Sequence, residues 1–354
     1  MIEPFVFNGL PSRVIFGWGT LSHVGAAVRG LGAQRALIVA TPEQAARAHD
    51  VGALLGDLAA AIFAGATMHT PVEVTEAAMD IFRARKCDCV VSVGGGSTIG
   101  LGKAIALRTD SPQVAVPTTY AGSEMTPILG ETEAGRKMTQ RDAKILPEVV
   151  IYDVDLTLSL PVELTATSGM NAIAHAVEAL YAKDRNPIIS LMSEAAIGAL
   201  GAALPVLVKE PDDRAARGNA LYGAWLAGTA LGSVGMALHH KLCHTLGGSF
   251  GLPHSEVHTI VLPHATAFNA SAVPQLLAPV ASALGGAKPG QALHDLARKI
   301  GAPTALKSLG LAASALDEAA AIATENPYWN PRPFSRDDIR ALLDDAYHGR
   351  RPDN

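Results

Sequence analysis

Up to Asp155, short apolar stretches alternate with amphipathic ones, and this alternation restricts the possible folds more than any other feature of the sequence. The apolar stretches have the length and the composition of buried strands. They cover residues 13–17, 36–40, 61–64, 89–93, 114–116 and 149–152. Strands that alternate with helices usually pair in parallel, so this half predicts an α/β domain with an open, doubly wound parallel sheet.

Beyond Asp155 the strand signals fade, and long runs rich in alanine and leucine follow. These runs predict helices over 162–182, 187–207, 213–248, 264–283, 289–300 and 335–347. Residues 220–238 carry no charge, but their glycine and alanine content favours a buried helix over a membrane span. We therefore predict an α/β domain over residues 1–157 and an all-helical domain over residues 158–354.

The composition argues against two classes of partner. Charged residues make up 17% of the chain, the net charge is −5, and no run of lysine and arginine stands out. We therefore expect neither a nucleic-acid partner nor a membrane, and the low charged fraction favours an oligomer, by default a homodimer. The three cysteines form no disulfide framework and the first residues lack a signal-peptide pattern, so we expect a cytoplasmic protein.

A glycine-rich turn, Gly94 to Ser97, directly follows the strand that ends at Val93. Glycines at this position let backbone N–H groups approach a phosphate, and the N-terminus of the next helix adds partial positive charge. The following strand leads into a loop whose hydroxyl groups suit ribose or diphosphate binding: Thr118, Thr119, Tyr120 and Ser123. Together they predict a dinucleotide site, although the spacing is not that of the G-x-G-x-x-G fingerprint.

The helical half carries polar residues spaced four apart, which places them on one helix face. Asn171 and His175 form one such pair, His240 and His244 form the second, and His254 follows. Three histidines beside a carboxylate would bind a divalent transition metal. Asn171 is a neutral amide and a poor ligand, so the pattern predicts a metal site that lacks one ligand.

Three further histidines are given lesser roles. His239 points about 100° away from the adjacent His240 on a helix, so both cannot face one cavity squarely. His258 and His264 are assigned to packing or to the surface.

Taken together, these segments resemble the iron-containing (group III) alcohol dehydrogenase family over essentially the whole chain. The resemblance rests on the glycine-rich turn, on the segment Pro117 to Thr119, and on the histidine spacing. It implies the dehydroquinate synthase-like architecture, in which a dinucleotide-binding α/β domain is coupled to a helical metal domain. It also implies four metal-ligand positions, namely Asn171, His175, His240 and His254.

Within the family, the chain is most similar to the branch that reduces maleylacetate to 3-oxoadipate in the degradation of aromatic compounds. Gly100 and Asn171 stand where alcohol dehydrogenases of the family usually carry acids. Members of the reductase branch are regarded as working without a metal, so no required metal is expected and the four ligand positions are expected to be vestigial. Thr41 stands where an aspartate often favours NADH, so NADH and NADPH both stay open as cofactors.

The resemblance thus implies an NAD(P)H-dependent oxidoreductase that acts on a small dianionic substrate. The expected catalytic residues are His175, His240, His244 and His254. The expected cofactor contacts are Thr41, Gly94, Gly95, Gly96, Ser97, Thr118, Thr119, Tyr120 and Ser123. The expected substrate contacts are Asn171, Lys137, Tyr328 and Arg332. Arg332 is preferred among them because a guanidinium binds a carboxylate through two parallel hydrogen bonds.

Two other functions stay open. A metal-dependent (Fe or Zn) alcohol dehydrogenase of the same family would retain tightly bound metal after purification. A lyase of the dehydroquinate synthase type would use NAD only transiently and would show no net change in NAD(P)H during turnover.

Overall fold

The computed structural model describes residues 5–7, 9–10, 12–134 and 136–353, without the side chains of Arg136 and Lys137. The chain divides into two compact units. The first unit is Gly9–Leu160, and the second contains Pro161–Asn354.

The first unit is built on a six-stranded parallel sheet with the order β1-β8-β5-β4-β2-β3. The strands are β1 (Arg13–Gly17), β2 (Ala36–Val39), β3 (Ala59–Phe63), β4 (Cys89–Gly94), β5 (Gln113–Pro117), β6 (Ile128–Glu133), β7 (Arg136–Arg141) and β8 (Val149–Asp153). Every residue of β2, β4, β5 and β8 is buried. Strands covered on both faces are apolar throughout rather than alternating, which explains why the sequence marks them clearly.

The connections of the sheet reverse direction between β2 and β4. From β2 the chain continues to β3 on one side, whereas from β4 it continues to β5 on the other side. Ligands of open α/β sheets bind at such a switch point, outside the carboxyl ends of the strands. The helices of this unit are α1 (Val24–Gly30), α2 (Ala45–Leu55), α3 (Val72–Ala84) and α4 (Gly96–Thr109).

The sequence did not predict the antiparallel hairpin formed by β6 and β7. In β6 only Leu129 and Glu131 are buried, and Met138 is the one apolar residue in the sequence of β7. Arg108 of α4 holds Glu131 through an ion pair of 2.9 Å. Because polar tertiary contacts of this kind anchor the hairpin, no apolar run marks either strand.

The described part of the second unit is helical, which confirms the predicted fold class. Its helices are α5 (Val162–Leu180), α6 (Pro187–Leu207), α7 (Arg214–Ser233), α8 (Leu238–Phe250), α9 (His254–Ala270), α10 (Pro274–Leu284), α11 (Pro289–Lys299), α12 (Leu316–Glu325) and α13 (Arg336–His348). The single helix predicted over 213–248 is wrong, because α7 and α8 meet at a bend of 95°. The helix predicted over 264–283 is also wrong, because α9 ends and α10 begins within it, and α12 was not predicted.

Helix α5 lies inside the second unit, and every residue from Thr165 to Leu180 is buried. Gly169 allows this close packing, because a Cβ there would lie 2.5 Å from Cδ2 of Leu204 on α6. A helix buried on all sides must hold its polar side chains in the interior. Asn171, His175 and Glu178 are therefore enclosed by other helices.

Of the helices that the structure describes, α6 is long and apolar enough to cross a membrane. Helices α7 and α8 pass the same test only as a bent pair. Length and composition are weak grounds for a membrane span here, because a core helix passes the test equally well.

Candidate functional site

The glycine-rich turn joins β4 to α4 and shapes a cradle. Gly94 has a φ of +153°, and a Cβ at Gly95 would lie 3.0 Å from both Oγ1 and Cγ2 of Thr119. In the described structure, no side-chain hydrogen bond caps the N-terminus of α4. The first N–H groups of a helix have no partner within the helix, so this end of α4 suits an anionic phosphate.

Polar atoms beside the cradle lack partners. Gln44 Oε1 and Thr98 Oγ1 are buried without a hydrogen-bond partner among the described residues. Gln44 Nε2 donates to Thr118 Oγ1 at 3.0 Å and so links the segment after β2 to the loop after β5. Thr41, in the segment after β2, is partly exposed. A glycine cradle with unsatisfied polar atoms at a switch point fits the phosphates and ribose of a dinucleotide.

The predicted hydroxyl residues have different surroundings. The backbone N–H of Thr118 donates to the carbonyl of Gly94 at 3.1 Å, which places Thr118 at the cradle. Tyr120 is fully buried, and the carbonyl and hydroxyl of Ser123 accept hydrogen bonds from Lys103. Cofactor contacts at Tyr120 and Ser123 stay predictions, and both residues have structural partners.

Lys103 on α4 is fully buried, and the sequence reasoning gave it no role. Its Nζ donates to the carbonyls of Thr126 at 2.8 Å and of Ile128 at 2.9 Å. Burial lowers the pKa of Lys103 to about 7, against the opposing effect of the Glu124 carboxylate. Lys103 thus attaches the loop after β5 to the helix that begins at the cradle.

Four buried histidines in the second unit form what we call the histidine cluster: His175 on α5, His239 and His240 on α8, and His258 on α9. His258 lies at its centre, with its ring centroid 4.8 Å from that of His239 and 4.9 Å from that of His240. The centroid of the His175 ring lies 5.2 Å from that of His240. The predicted assignment of His258 to packing or the surface agrees with its full burial, but the sequence did not indicate that its packing partners are other histidines.

Glu178 positions this cluster, and the sequence reasoning missed it as well. Its buried carboxylate accepts hydrogen bonds from the backbone N–H groups of Ala237 at 2.9 Å and His239 at 2.8 Å. It also accepts one from Nδ1 of His240 at 2.7 Å. Because the oxygens of Glu178 also accept these backbone N–H groups, Nδ1 of His240 is the donor in its bond to the carboxylate.

The same carboxylate explains the bend between α7 and α8. Gly235 donates its backbone N–H to Asp184 at 2.9 Å, and two residues later Ala237 donates to Glu178. In a continuous helix these N–H groups would bond to carbonyls of the preceding turn. Acidic side chains outside α7 and α8 therefore replace the helical bonds. The new helix begins at Leu238, with His239 and His240 of its first turn against Glu178.

The donor set of the cluster fits a divalent transition metal. The buried atoms without a hydrogen-bond partner among the described residues include one atom of Asn171 and one of each of three cluster histidines: Asn171 Oδ1, His175 Nδ1, His240 Nε2 and His258 Nε2. The ligand atoms offered by His175, His240 and His258 all lie within 4.8 Å of one another. Imidazole nitrogens suit zinc, cobalt or nickel better than magnesium or calcium, and a carboxylate behind a ligating histidine is the usual outer partner.

Burial controls the charge of the cluster. It lowers the pKa of His175, His239 and His258 well below the ordinary value, and the neighbouring histidines add to the effect. These rings are therefore neutral at pH 7 and offer lone pairs or single N–H groups. Burial also raises the pKa of Cys243, whose Sγ lies 3.6 Å from Nε2 of His239, so its thiol stays protonated.

The structure brings two other predicted site residues together. The Tyr328 hydroxyl lies 3.0 Å from Nδ1 of His244, and Nζ of Lys241 lies 5.8 Å from the centroid of the Tyr328 ring. His254 is the first residue of α9 and is exposed, and its ring centroid lies 4.3 Å from that of His258. The predicted catalytic histidines thus belong to the cluster or lie close to it, and their catalytic roles stay predictions.

The predicted anion-binding cations are less well supported. Nη1 of Arg332 donates to the carbonyl of Phe268 at 3.0 Å and to Oγ of Ser271 at 3.2 Å. Its guanidinium also stacks on the Phe268 ring at 3.8 Å. These contacts secure the C-terminal end of α9, which is a structural role. The side chain of Lys137 lies outside the described residues.

Two adjoining segments of the chain match models of one family. Residues 11–154 match the iron-containing alcohol dehydrogenase model, and residues 165–347 match the C-terminal model of the Fe-containing alcohol dehydrogenase family. The chain belongs to the iron-containing alcohol dehydrogenase family. This membership makes it an oxidoreductase and supports NAD(H) as the cofactor.

Proteins named maleylacetate reductase and an iron-containing alcohol dehydrogenase are similar to the chain over nearly its whole length. A protein of Rhizobium sp. (strain MTP-10005) named maleylacetate reductase is 56% identical over 99% of this chain and 100% of its own. The crystal structure of maleylacetate reductase from Agrobacterium tumefaciens is 56% identical, with a TM-score of 0.96 over 99% of this chain and 100% of that one. An iron-containing alcohol dehydrogenase from Corynebacterium glutamicum is 41% identical, with a TM-score of 0.94 over 99% and 98%.

Proposed function

We propose that the chain catalyses the NAD(P)H-dependent reduction of the carbon–carbon double bond of maleylacetate to 3-oxoadipate, in the degradation of aromatic compounds. The observation that carries the proposal is identity of 50% to 56% over 98% to 99% of the chain with proteins named maleylacetate reductase. Asn171 supports it, because a neutral amide stands beside the histidine cluster where a metal-dependent dehydrogenase would need a carboxylate.

The substrate explains why that substitution is tolerated. The 4-oxo group of maleylacetate withdraws electrons from the double bond, so a hydride adds to the carbon β to the ketone and the electron pair moves to the ketone oxygen. The enolate then takes a proton at the α carbon, and NAD(P)H supplies the hydride. An enolate is conjugated and needs less stabilisation than an alkoxide, for which a metal ion serves as Lewis acid.

The proposed roles of the histidines follow from their hydrogen bonds. His175, His240 and His254 hold a substrate carboxylate or the enolate oxygen in a dry environment. Glu178 orients the His240 ring through its bond to Nδ1. His244 orients the nicotinamide and the substrate or relays the proton, and its Tyr328 partner contacts the substrate.

Finer features of the cofactor belong to the same proposal. Thr41 lacks the negative charge that would repel a 2′-phosphate, so both NADH and NADPH are used. Turnover requires no metal. If an ion is present, His175 and His240 hold it with one further nitrogen, and it would supply Lewis acidity.

The proposal also covers location and assembly. A net charge of −5 and a charged fraction of 17% support a protein without nucleic-acid or membrane partners. We propose a homodimer in the cytoplasm that acts on a small dianion.

The decisive test is whether chelator-treated enzyme oxidises NADH when maleylacetate is added. The reaction is monitored as the decrease in NADH absorbance. Rapid oxidation without added metal is the expected result. Activity that returns only with zinc or iron would identify a metal-dependent alcohol dehydrogenase instead, a function favoured by the 41% identical relative of that name. Consumption of the substrate without any net change in NADH would indicate a lyase.

A variant tests the histidine roles within the same assay. His254→Ala is expected to lower kcat/KM at least tenfold, because it removes a group that contacts the reacting oxygen. His348→Ala, at an exposed position of α13, is the matched control and keeps wild-type turnover. Equal kcat/KM values for His254→Ala and wild type would reject the assignment.

A further inference from the structure

We propose that Lys241 on α8 binds one carboxylate of the substrate, and thereby selects a dianion over a singly charged molecule. The inference rests on the proposed function, because it names the group that recognises the charge of that substrate. It moves the role of carboxylate-binding cation from Arg332, which the sequence favoured, to a residue whose charge has no partner within the described chain.

Lys241 is a partly buried cation without a counter-ion among the described residues. Its ammonium group has neither an ion pair nor a hydrogen bond there, and Nζ lies 5.8 Å from the centroid of the Tyr328 ring. Charged groups that leave the solvent are usually paired, because removing a charge from water is costly. A partly buried ammonium without a partner therefore points to an anion that a ligand supplies.

Tyr328 positions this ammonium without neutralising it. A cation over an aromatic face is attracted by the ring quadrupole. Burial raises the pKa of Tyr328, and the Glu178 carboxylate adds to the shift, so the phenol is neutral at pH 7. The Tyr328 hydroxyl lies 3.0 Å from Nδ1 of His244, and this contact holds the ring in place beside Nζ. The positive charge of Lys241 therefore stays available to an anion.

Lys241 also lies where the proposed substrate needs a cation. It directly follows His240 and precedes His244 by three residues, so Lys241 and His244 share one face of α8. The ring centroid of His244 lies 6.0 Å from that of His240, at the edge of the histidine cluster. A carboxylate bound to Nζ would keep the rest of a small dianion beside these rings.

The charges near Lys241 are otherwise engaged. Arg332 donates to the carbonyl of Phe268 and to Oγ of Ser271, and it stacks on the Phe268 ring. Glu178 forms its ion pair with His240 rather than with Lys241. Because the net charge of −5 opposes the approach of a dianion, binding requires a local cation of this kind.

The first test is the steady-state reduction of maleylacetate at saturating NADH. Lys241→Met keeps the apolar stem and removes the charge, so it should raise KM roughly tenfold or more while kcat stays within about threefold of wild type. Lys241→Arg restores a cation and should return KM to within about threefold of the wild-type value. An unchanged KM in Lys241→Met would overturn the assignment, because a stem that only packs on Tyr328 is served equally well by methionine. A KM that Lys241→Arg fails to restore would overturn it as well.

Controls separate substrate binding from other effects. Lys299→Met changes an exposed lysine of α11 and should leave KM unchanged. Fluorescence titration should give the same Kd for NADH in every variant. A Kd for NADH that rises in Lys241→Met, with KM for maleylacetate unchanged, would overturn the assignment in favour of a coenzyme contact. Circular dichroism verifies each fold, and Lys241→Gln is used if the methionine variant does not fold.

A binding measurement distinguishes failure of this inference from failure of the proposed function. Adipate carries a carboxylate at each end of its chain, whereas its monomethyl ester carries only one. In calorimetric titrations with NAD⁺ present, the wild type should bind adipate roughly tenfold more tightly than the ester, and Lys241→Met should bind both with similar Kd values. No turnover is needed, so the comparison decides the inference even if maleylacetate is not reduced. The same preference for adipate in both proteins, or no adipate binding by the wild type, would overturn it.

Discussion

In Glu178, both carboxylate oxygens act as acceptors. Oε1 accepts from the backbone N–H of His239 and from the Tyr181 hydroxyl at 3.1 Å, and Oε2 accepts from Ala237 and from the His240 ring. One residue therefore determines where α8 begins and which nitrogen of His240 carries a proton. Both effects depend on the carboxylate having no hydrogen of its own.

Glu178→Gln should damage both effects, although the two side chains have the same shape. The amide NH₂ would face N–H donors, and leaving a buried donor unsatisfied costs roughly 1–3 kcal/mol. We expect unfolding in urea to show a loss in that range, together with a fall in kcat larger than any change in KM. Glu163→Gln, on the exposed first turn of α5, is the control and should change stability by about 0.5 kcal/mol or less. Equal stability and kcat for wild type and Glu178→Gln would contradict the role.

The limits of sequence reasoning at this scale differ between residues. His175 and His240 were found because each has a polar partner four residues away on its own helix. His258 has the same spacing from His254, but its neighbours in the cluster come from α5 and α8. Glu178 follows His175 by three residues, and that spacing was a usable signal once His175 was under consideration.

At the scale of elements, the β4–α4 turn is the part of the cofactor region that a side chain would disturb most. A Cβ at Gly95 would come within 3.0 Å of Thr119, so the loop after β5 that carries Thr119 would have to shift. Gly95→Ala should therefore weaken NADH binding about tenfold, which corresponds to about 1.4 kcal/mol. Fluorescence titration with NADH measures the Kd directly. Gly30→Ala, where a Cβ meets nothing within 4 Å, is the control; a shared Kd for the two variants would show that the phosphates bind elsewhere.

The sequence predicts those strands and helices whose burial requires a continuous run of apolar residues. The strand β4 is buried at every residue, so an apolar run marks it. The hairpin of β6 and β7 depends on contacts such as Arg108 with Glu131, and a polar strand gives no local signal. The bend between α7 and α8 is likewise set by Asp184 and Glu178, both outside the two helices.

At the scale of the whole molecule, buried histidines determine how the fold responds to acid. A histidine whose pKa is lowered by burial stays neutral in the folded chain, whereas the unfolded chain takes up a proton near pH 6.5. The sign follows from the proton count: stability is complete above about pH 6.5 and is lost as the pH falls below it, because only the unfolded state gains protons. His175, His239 and His258 all act in this direction.

His264 allows this effect to be measured away from the cluster. Burial lowers its pKa from 6.5 to about 4, with the Asp345 carboxylate opposing the shift. Between pH 7 and pH 5 the unfolded chain gains a proton at this residue that the folded chain does not, which costs about 2 kcal/mol. His264→Gln cannot take up that proton, so its unfolding free energy should fall by about 2 kcal/mol less than that of the wild type over the same interval. Urea denaturation at pH 7, 6 and 5 gives the slope of unfolding free energy against pH for the wild type and for His264→Gln. Parallel slopes would mean that folded His264 is protonated as readily as unfolded His264, and that the interior around α9 admits the charge.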